Sequence, residues 1–272
     1  MYTMNSITSK NWVDTHFHVF NAGEAFASAR YVPQYTASLQ DWMAISQGVG
    51  VTRGVCVQPS FLGVDNRLMV GALKAHPDVL RGVAVLAADT HADELNALHA
   101  VGVRGIRLNL AGVSHDVTEW ARAERLWRTL HELGWHLEMH TDQGALPAVL
   151  AQLPSDLPLV VDHMAKPNEV QRSDASIFAV VQRAKKVATY VKLSGAYRLG
   201  SVDAASLAHL WLHELGPAGL LWGSDWPCTN HEQLANYDVL FAALSTWVGP
   251  QYLDDVLSNN PQRLYWDAPV SA

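Results

Sequence analysis

Cysteine is scarce in this 272-residue chain, which holds only Cys56 and Cys228, each in its own apolar context. Two isolated cysteines form neither a disulfide framework nor a zinc knuckle, so both are expected to be reduced, buried thiols. The first ten residues lack the apolar core of a signal peptide. No uninterrupted apolar run approaches the roughly 18 residues of a membrane span. These absences predict a cytoplasmic protein that does not enter membranes.

Positive charge is also limited, since 19 Lys and Arg face 26 Asp and Glu and the net charge is −7. Without a basic patch, the chain is not expected to bind nucleic acid. Nucleotide-binding motifs of the G-x-G-x-x-G and Walker types are missing, and so is the G-x-S-x-G elbow of serine hydrolases. The expected partner is therefore a small-molecule substrate, and the composition leaves homo-oligomerisation open.

Short apolar runs are abundant in this chain, which is 49% hydrophobic. Eight of them have the length and composition of buried strands, and amphipathic stretches with helical periodicity separate them. The predicted strands are Trp12–Phe20, Thr52–Gln58, Leu80–Leu86, Gly105–Leu110, Trp135–His140, Leu157–Asp162, Tyr190–Ser194 and Leu220–Ser224. The predicted helices are Asn66–His76, His91–Val101, Glu119–Leu133, Ala145–Leu153, Ala175–Ala188, Ala204–Leu215, Gln233–Val248 and a helical tail over Gln251–Tyr265 that is interrupted before Pro261.

Eight strands that alternate with helices, in a chain near the usual ~250 residues, predict an α/β fold with the (β/α)8 architecture of a TIM-like barrel. We expect one such domain over residues 1–272. A doubly wound open sheet is the alternative, and it would usually carry a nucleotide motif at its switch point.

Polar side chains recur where the predicted strands end. A barrel builds its active site from the C-terminal ends of its strands, so these side chains would face one mouth. They are His16, His18, Gln58, Ser60, Arg107, Asn109, His140, His163, Lys192, Ser194 and Asp225.

His16 and His18 stand two residues apart, and side chains at i and i+2 of a strand point to the same side. Such a pair alone is also compatible with hydrogen-bonded structural histidines. Asp225 leaves an apolar strand, where an unpaired buried carboxylate would cost several kcal/mol. It therefore needs a partner, although a turn cap or an arginine would also satisfy it.

Three motifs in chain order resemble the amidohydrolase superfamily in its amidohydrolase 2 branch: His16-Phe17-His18, Asp162-His163 and Gly223-Ser224-Asp225-Trp226-Pro227. Other segments are similar to the 2-pyrone-4,6-dicarboxylate lactonase group, which includes sugar lactonases: Val57–Ser60, Gly102–Arg107 and Ser194–Arg198. The resemblance extends from Trp12 to Tyr265. It implies a distorted barrel of the amidohydrolase type and hydrolysis of a lactone or a related bond.

The resemblance also implies roles for individual residues. Asp225 would be the base that takes a proton from the attacking water, and His163 would polarise the substrate carbonyl or orient that water. His16 and His18 would form the first-strand pair. The chemistry agrees, because a carboxylate within hydrogen-bond reach can accept the proton, and imidazoles or a metal can hold the oxyanion.

The expected cofactor is either none or one divalent metal, and Zn²⁺ suits the donors best. By resemblance to metal-dependent decarboxylases of the superfamily, its ligands would be His16, His18, His140 and Asp225. The pyrone lactonases work without a metal and lack an equivalent of His140. The sequence therefore leaves both possibilities open.

By resemblance, Arg107, Arg198 and Ser60 would contact a substrate carboxylate. Tyr197 is a candidate for an apolar wall against a planar substrate ring, and ordinary packing is the alternative. An arginine fork binds carboxylates bidentately, which predicts an anionic substrate. The alternative is that the two arginines pair with carboxylates of the protein itself. The segment Leu110–Ser114 lacks a cation that the resembled lactonases carry there, which favours a monocarboxylate or a sugar lactone.

The sequence thus favours a hydrolase that opens a lactone or related cyclic ester of a small anionic or sugar-acid substrate. The alternative is a metal-dependent nonoxidative decarboxylase of an aromatic or muconate-type acid, which shares the ligand set and the fold. A non-catalytic sugar-acid binding protein would be expected to have lost Asp225 or His163, and both are present.

Overall fold

Eight parallel strands form the centre of the protein in the computed structural model, which describes residues 11–267. Each strand pairs with the next one along the chain. They are β1 (Trp12–Phe17), β2 (Val51–Val57), β3 (Leu80–Ala84), β4 (Val103–Asn109), β5 (His136–His140), β6 (Leu159–Val161), β7 (Thr189–Leu193) and β8 (Leu220–Trp222). The predicted (β/α)8 barrel is confirmed.

The barrel closes between β1 and the segment that follows β8. The Asp225 amide donates to the His16 carbonyl at 2.8 Å, and the His18 amide donates to the Trp226 carbonyl at 2.9 Å. These bonds hold the backbone of Asp225 beside that of the two histidines, although the sequence separates them by more than two hundred residues.

Helices surround the strands and begin at capping residues that the sequence supplies. Ser38 starts the first helix with a capping box to Asp41, and Asp174, Asp203 and Asn236 cap three later helices. Such caps bond the free amides of the first turn. The helices are α1 (Leu39–Gly48), α2 (Arg67–Ala75), α3 (Ala92–Ala100), α4 (Thr118–Ala121), α5 (Glu124–Glu132), α6 (Leu146–Leu150), α7 (Ala175–Ala184), α8 (Ala204–Leu215) and α9 (Tyr237–Val248).

An irregularity in β1 determines which of its side chains face the barrel interior. Between Asp14 and Phe17, β1 contains one residue more than β2, as in a β-bulge. Val13 packs with the interior residues, whereas Phe17 stacks on α1 outside the barrel. After the bulge, His16 and His18 lie near each other, with ring centroids 4.9 Å apart.

The buried carboxylate of Asp14 connects the two ends of the barrel to the outer helices. It accepts hydrogen bonds from the His16 amide at 3.0 Å, Trp42 Nε1 at 3.0 Å, Ser224 Oγ at 2.6 Å and the Tyr237 hydroxyl at 3.2 Å. Burial raises the pKa of Asp14, although these bonds oppose the rise. Asp14 therefore holds β1, the end of β8, α1 and α9 in a fixed arrangement.

Several predicted elements differ from the structure: no helix was predicted at α1, and α6, α7 and α9 are shorter than the predicted helices. The first strand ends at Phe17 rather than Phe20. The predicted helix Glu119–Leu133 divides into α4 and α5, and at the break the Trp120 carbonyl accepts from the Ala123 amide at 3.1 Å and from Trp127 Nε1 at 2.7 Å. The tail is helical as predicted, but the expected interruption before Pro261 is wrong, because the helix continues through this residue and contains two wide turns, Asp255–Asn259 and Gln262–Trp266.

The predictions that were drawn from features missing in the sequence can be compared with the structure. Both cysteines are free and buried, as expected. None of the helices within residues 11–267 has the length and apolarity needed to cross a bilayer. The first ten residues, for which no signal peptide is predicted, lie outside the described part of the chain.

Candidate active site

Asp225 lies directly after β8 at the mouth of the barrel, and its buried carboxylate has different partners on its two oxygens. Oδ1 lies 3.3 Å from His18 Nε2 and 3.6 Å from His16 Nε2. Oδ2 accepts from the Tyr197 hydroxyl and from Arg198 Nε, each at 2.7 Å. Asp225 therefore has an arginine partner, the alternative that the sequence left open, and also meets both histidines of the first strand.

The charges around Asp225 keep it ionised. Burial alone would raise the pKa of this carboxyl, but its neighbours, the Arg198 guanidinium first among them, outweigh burial and hold the pKa well below its usual value. Arg198 is affected reciprocally: burial lowers its pKa, and the Asp225 carboxylate more than reverses this. Asp225 is thus an anion at the mouth of the barrel at any physiological pH.

His16 is buried between two charged groups. Its Nδ1 lies 3.1 Å from Asp162 Oδ1 and 3.2 Å from Lys192 Nζ, while its Nε2 has no hydrogen-bond partner among the described residues. Burial lowers the pKa of His16 to about 3, although Asp162 opposes the change. The ring is therefore neutral, and Nε2 is left for a ligand or for solvent.

A buried ion network lies beneath His16 inside the barrel. Lys192 Nζ lies 2.5 Å from Glu138 Oε2 and 3.5 Å from Asp162 Oδ1. Arg107 Nε donates to Asp162 Oδ2 at 2.9 Å and lies 3.7 Å from Glu138 Oε1. Arg107 thus pairs with a carboxylate of the protein. Burial would raise the pKa of Asp162, but His16, Arg107 and Lys192 together hold it well below the usual value.

His163 stands on a left-handed turn after β6. Its φ is 49°, and the three residues that follow also have positive φ, a conformation that costs non-glycine residues roughly 1–2 kcal/mol each. Trp211 Nε1 supports the turn by donating to the Met164 carbonyl at 3.0 Å. Ser194 Oγ lies 3.0 Å from His163 Nδ1 and accepts from the His163 amide at 3.3 Å. The turn and Ser194 together fix the orientation of this imidazole.

A cavity of about 570 Å³ opens at the mouth of the barrel. Asp225, His18 and His163 line it, and so do Ser60, Arg107, His140 and Arg198. Tyr197 is not among the residues that line this cavity, and its hydroxyl donates to Asp225. Arg30, from the loop between β1 and α1, lines it as well.

His140 ends β5 but does not join His16, His18 and Asp225 in one cluster. Its ring lies edge-on to that of His163, with centroids 4.5 Å apart, and neither ring nitrogen has a hydrogen-bond partner within the described residues. Burial, followed by His163, lowers its pKa well below the usual value. Its assignment as a metal ligand stays a prediction.

The donor positions suit a divalent ion. The ligand atoms of His16, His18 and Asp225 lie within 4.8 Å of one another. The two separations from Asp225 Oδ1, 3.3 and 3.6 Å, are near the value of about 3.3 Å expected for neighbouring ligands of tetrahedral Zn²⁺. If an ion were bound, these three residues would hold it, and it would supply Lewis-acid polarisation of a carbonyl.

The surrounding charges suit such an ion poorly. The buried cluster contains three carboxylates and three cations, so its charge is balanced without a metal. A divalent ion would add two positive charges in a buried site beside Lys192 and Arg198, and uncompensated buried charge is costly. The members of this charge set are Glu138, Asp162, Asp225, Arg107, Lys192 and Arg198.

Acidification is expected to destabilise the fold through the buried histidines. A histidine whose folded pKa is depressed stays neutral while the unfolded chain takes up a proton below about pH 6.5. The unfolded state then binds more protons, so the free energy of unfolding falls by about 1.4 kcal/mol per pH unit for each such histidine. The histidines are His16, His136, His140 and His163.

The measurement is the midpoint of thermal unfolding at pH 8, 6.5 and 5. We expect little change between pH 8 and 6.5 and a clear decrease between pH 6.5 and 5. Asp162 and Asp225, whose folded pKa values are also depressed, act in the same direction only at lower pH. A midpoint that stays constant or rises on going to pH 5 would contradict the buried, neutral state of these histidines.

Sequence reasoning did not assign roles to three residues that shape the site. Lys192 occupies an apolar strand, which signals a buried charge, but its partner Glu138 lies on another strand. Asp14 precedes His16 by two residues and offers no motif. Arg30 lies in a polar loop, and no sequence signal places it at the cavity.

Comparison with known proteins identifies the family. The sequence matches the amidohydrolase family over residues 13–266. A 2-pyrone-4,6-dicarboxylate hydrolase from Comamonas testosteroni is 31% identical over 285 aligned positions, which cover 95% of this chain and 91% of the relative. A 4-sulfomuconolactone hydrolase from Rhizobium radiobacter is 31% identical over 229 positions, which cover 79% of this chain and 75% of the relative.

A crystal structure from Acinetobacter baumannii has the same fold. This candidate 2-pyrone-4,6-dicarboxylic acid hydrolase, solved with citric acid bound, superposes with a TM-score of 0.80 at 30% sequence identity. The match covers 94% of this chain and 99% of the other. The chain therefore belongs to the amidohydrolase family, and its curated relatives are lactone hydrolases.

Proposed function

We propose that this enzyme hydrolyses the ring ester of a small anionic lactone, with Asp225 as the base that activates water. The observation that carries the proposal is the ionised Asp225 carboxylate, which faces the cavity with Oδ1 beside two imidazoles. A general base must lie within hydrogen-bond reach of the water it activates, and an ionised carboxylate can accept a proton.

His18 supports the proposed position of the water. Its Nδ1 lies 2.7 Å from the Val57 carbonyl, which only accepts, so Nδ1 carries the proton. Nε2 of the same ring lies 3.3 Å from Asp225 Oδ1, at the edge of the cavity. A water that donates one hydrogen to Oδ1 and contacts Nε2 would be held beside the base, with a lone pair directed towards the carbonyl carbon of a bound substrate.

His163 is suited to stabilise the oxyanion. Ser194 Oγ accepts from the His163 amide, so its own hydrogen is free to be donated to Nδ1. The ring proton then lies on Nε2, which can donate to the carbonyl oxygen as negative charge develops. Burial lowers the pKa of His163 well below its usual value, so the ring acts as a neutral donor. One well-placed donor of this kind contributes about 3–4 kcal/mol.

The proposed reaction needs only the lactone, one water and Asp225, which is restored at the end. Water oxygen bonds to the acyl carbon while one water proton moves to Asp225, giving a tetrahedral oxyanion. The intermediate collapses with cleavage of the ring C–O bond, and the Asp225 proton passes to the leaving oxygen. The products are a carboxylic acid and a hydroxyl or enol on the same molecule, with the Asp225 carboxylate restored.

The test is a panel of lactones that includes 2-pyrone-4,6-dicarboxylate, 4-sulfomuconolactone and a sugar lactone. We expect acid release without CO₂ from at least one of them. Because the buried charges balance without a metal, treatment with a chelator, checked by elemental analysis, is expected to leave the rate unchanged.

Two results would contradict this account. Release of CO₂ from aromatic or muconate-type acids, with no lactone opened, would favour the decarboxylase alternative. Loss of activity on chelation, with recovery on adding Zn²⁺, would show that His16, His18 and Asp225 act as metal ligands.

A further inference from the structure

Three arginines line the cavity, and two of them are already paired. Arg107 lies 2.9 Å from Asp162, and Arg198 lies 2.7 Å from Asp225. Arg30 forms no ion pair with any carboxylate in residues 11–267. Its positive charge is therefore the one among these three that the protein does not neutralise.

The Arg30 guanidinium is held in place by the loop after β4. Its Nη2 donates to the Ala111 carbonyl at 2.6 Å. Gly112 has a φ of 68°, and a Cβ at that position would collide with Arg30 Nη1. The guanidinium thus lies against a glycine that leaves room for it, at a place where the segment Leu110–Ser114 has no cation of its own.

Arg30 lies at a different part of the barrel mouth from Arg198 and Asp225. Ala111 and Gly112 follow β4, whereas Arg198 follows β7 and Asp225 follows β8. In the order of the barrel, these attachment points lie on different sides of the mouth. A substrate whose ester carbonyl reaches Asp225 would therefore direct a more distant group towards Arg30.

We propose that Arg30 is a specificity-determining residue that binds a second anionic group of the substrate, so that the enzyme prefers dianionic lactones to monoanionic ones. This inference rests on the proposed lactone hydrolysis. It commits to an oxyanion ligand, either a carboxylate or a sulfonate, because an unpaired guanidinium recognises both through the same fork of donors. It replaces the sequence-based expectation of a monocarboxylate or a sugar lactone.

The test compares Arg30→Gln with wild type on dianionic and monoanionic substrates. The dianions are 2-pyrone-4,6-dicarboxylate and 4-sulfomuconolactone, and the monoanions are the 2-pyrone-4- and 2-pyrone-6-carboxylates. For the preferred dianion, kcat/KM is expected to fall about 10- to 100-fold, mainly through KM, as for loss of a charge-assisted hydrogen bond. For the monoanion that lacks the Arg30-bound group, the change is expected to stay below about threefold. An equal loss on all substrates, or no loss on any, would overturn the inference.

Two further variants test whether the effect depends on the charge of Arg30 at this site and on the position of its guanidinium. Arg67→Gln removes the same charge from an exposed arginine outside the cavity and should leave the ratio of dianion to monoanion unchanged. Gly112→Ala keeps Arg30 but displaces its guanidinium, so it should lower that ratio in the same direction as Arg30→Gln. A normal ratio in Gly112→Ala would contradict the placement of Arg30 against the loop.

Citrate binding distinguishes failure of this inference from failure of the proposed function. Calorimetry with citrate needs no turnover, and we expect Arg30→Gln to weaken binding about tenfold or more relative to Arg67→Gln. If no lactone is hydrolysed but this difference is found, the proposed function fails and the anion site stands. Equal citrate affinity in the two variants would overturn the anion site itself.

Discussion

Asp225→Asn is expected to lower kcat for lactone opening by about 10²- to 10⁴-fold, the usual cost of losing a general base. Asparagine keeps the shape of the side chain, and its carbonyl oxygen can still accept from Tyr197 or Arg198. It cannot take a proton from water. The measurement is kcat on the substrate found with the lactone panel, together with the thermal midpoint of the variant.

The control for this experiment is Asp93→Asn, which removes the same charge from an exposed position on α3. We expect normal turnover in the control. The Asp225→Asn variant should remain folded, because the change preserves volume and leaves hydrogen-bonding groups in place. A folded Asp225→Asn enzyme with a rate within about threefold of wild type would remove Asp225 from the role of base.

Lys192→Met is expected to reduce the free energy of unfolding by about 3–5 kcal/mol, the typical cost of removing one partner of a buried ion pair. Lys192 and Glu138 are both fully buried. Without the ammonium group, the neighbours of the Glu138 carboxylate would be more distant, namely Arg107 at 3.7 Å, His16 at 3.6 Å and His136 at 3.8 Å, and of these only Arg107 is a permanent cation. The measurement is urea unfolding of both proteins at pH 7. The two free energies of unfolding can be compared when the denaturant slopes of the two proteins agree.

A double-mutant cycle with Glu138→Gln tests whether the loss comes from the unpaired carboxylate. The combined variant should be more stable than Lys192→Met alone, because the change to glutamine neutralises the group left behind. Simple additivity of the two single changes would contradict a direct pair. In that case, other cations and not Lys192 would balance the charge of Glu138.

The strands and the location of the site could be predicted because their causes are local or topological. Parallel strands of a barrel are buried on both faces, so each reads as a short apolar run. The barrel places the ends of its strands at one mouth, which brings His16, His18 and Asp225 together despite their separation in sequence. The pairing of Arg107 and Arg198 with protein carboxylates was an open alternative, since either partner satisfies a guanidinium.

The structural features that could not be predicted depend on side-chain contacts that the local sequence does not encode. The interruption between α4 and α5 coincides with a hydrogen bond from Trp127 Nε1 to the Trp120 carbonyl, which no pattern in the sequence indicates. Lys192 meets Glu138 only because β5 and β7 face the same interior. Arg30 reaches the loop after β4 from the long loop between β1 and α1, and no periodicity or motif in that loop encodes the contact.

The most direct test of the central claim is lactone hydrolysis in water enriched in ¹⁸O, with the product examined by mass spectrometry. Attack of water activated by Asp225 on the acyl carbon predicts one ¹⁸O atom per turnover in the new carboxylate and none in a new alcohol hydroxyl. An enol oxygen is left out of the comparison, because its keto tautomer exchanges oxygen with water. The label should enter at an unchanged rate after chelation and at least about 100-fold more slowly in Asp225→Asn. Label in the hydroxyl oxygen, or release of CO₂ without labelled carboxylate, would contradict the account.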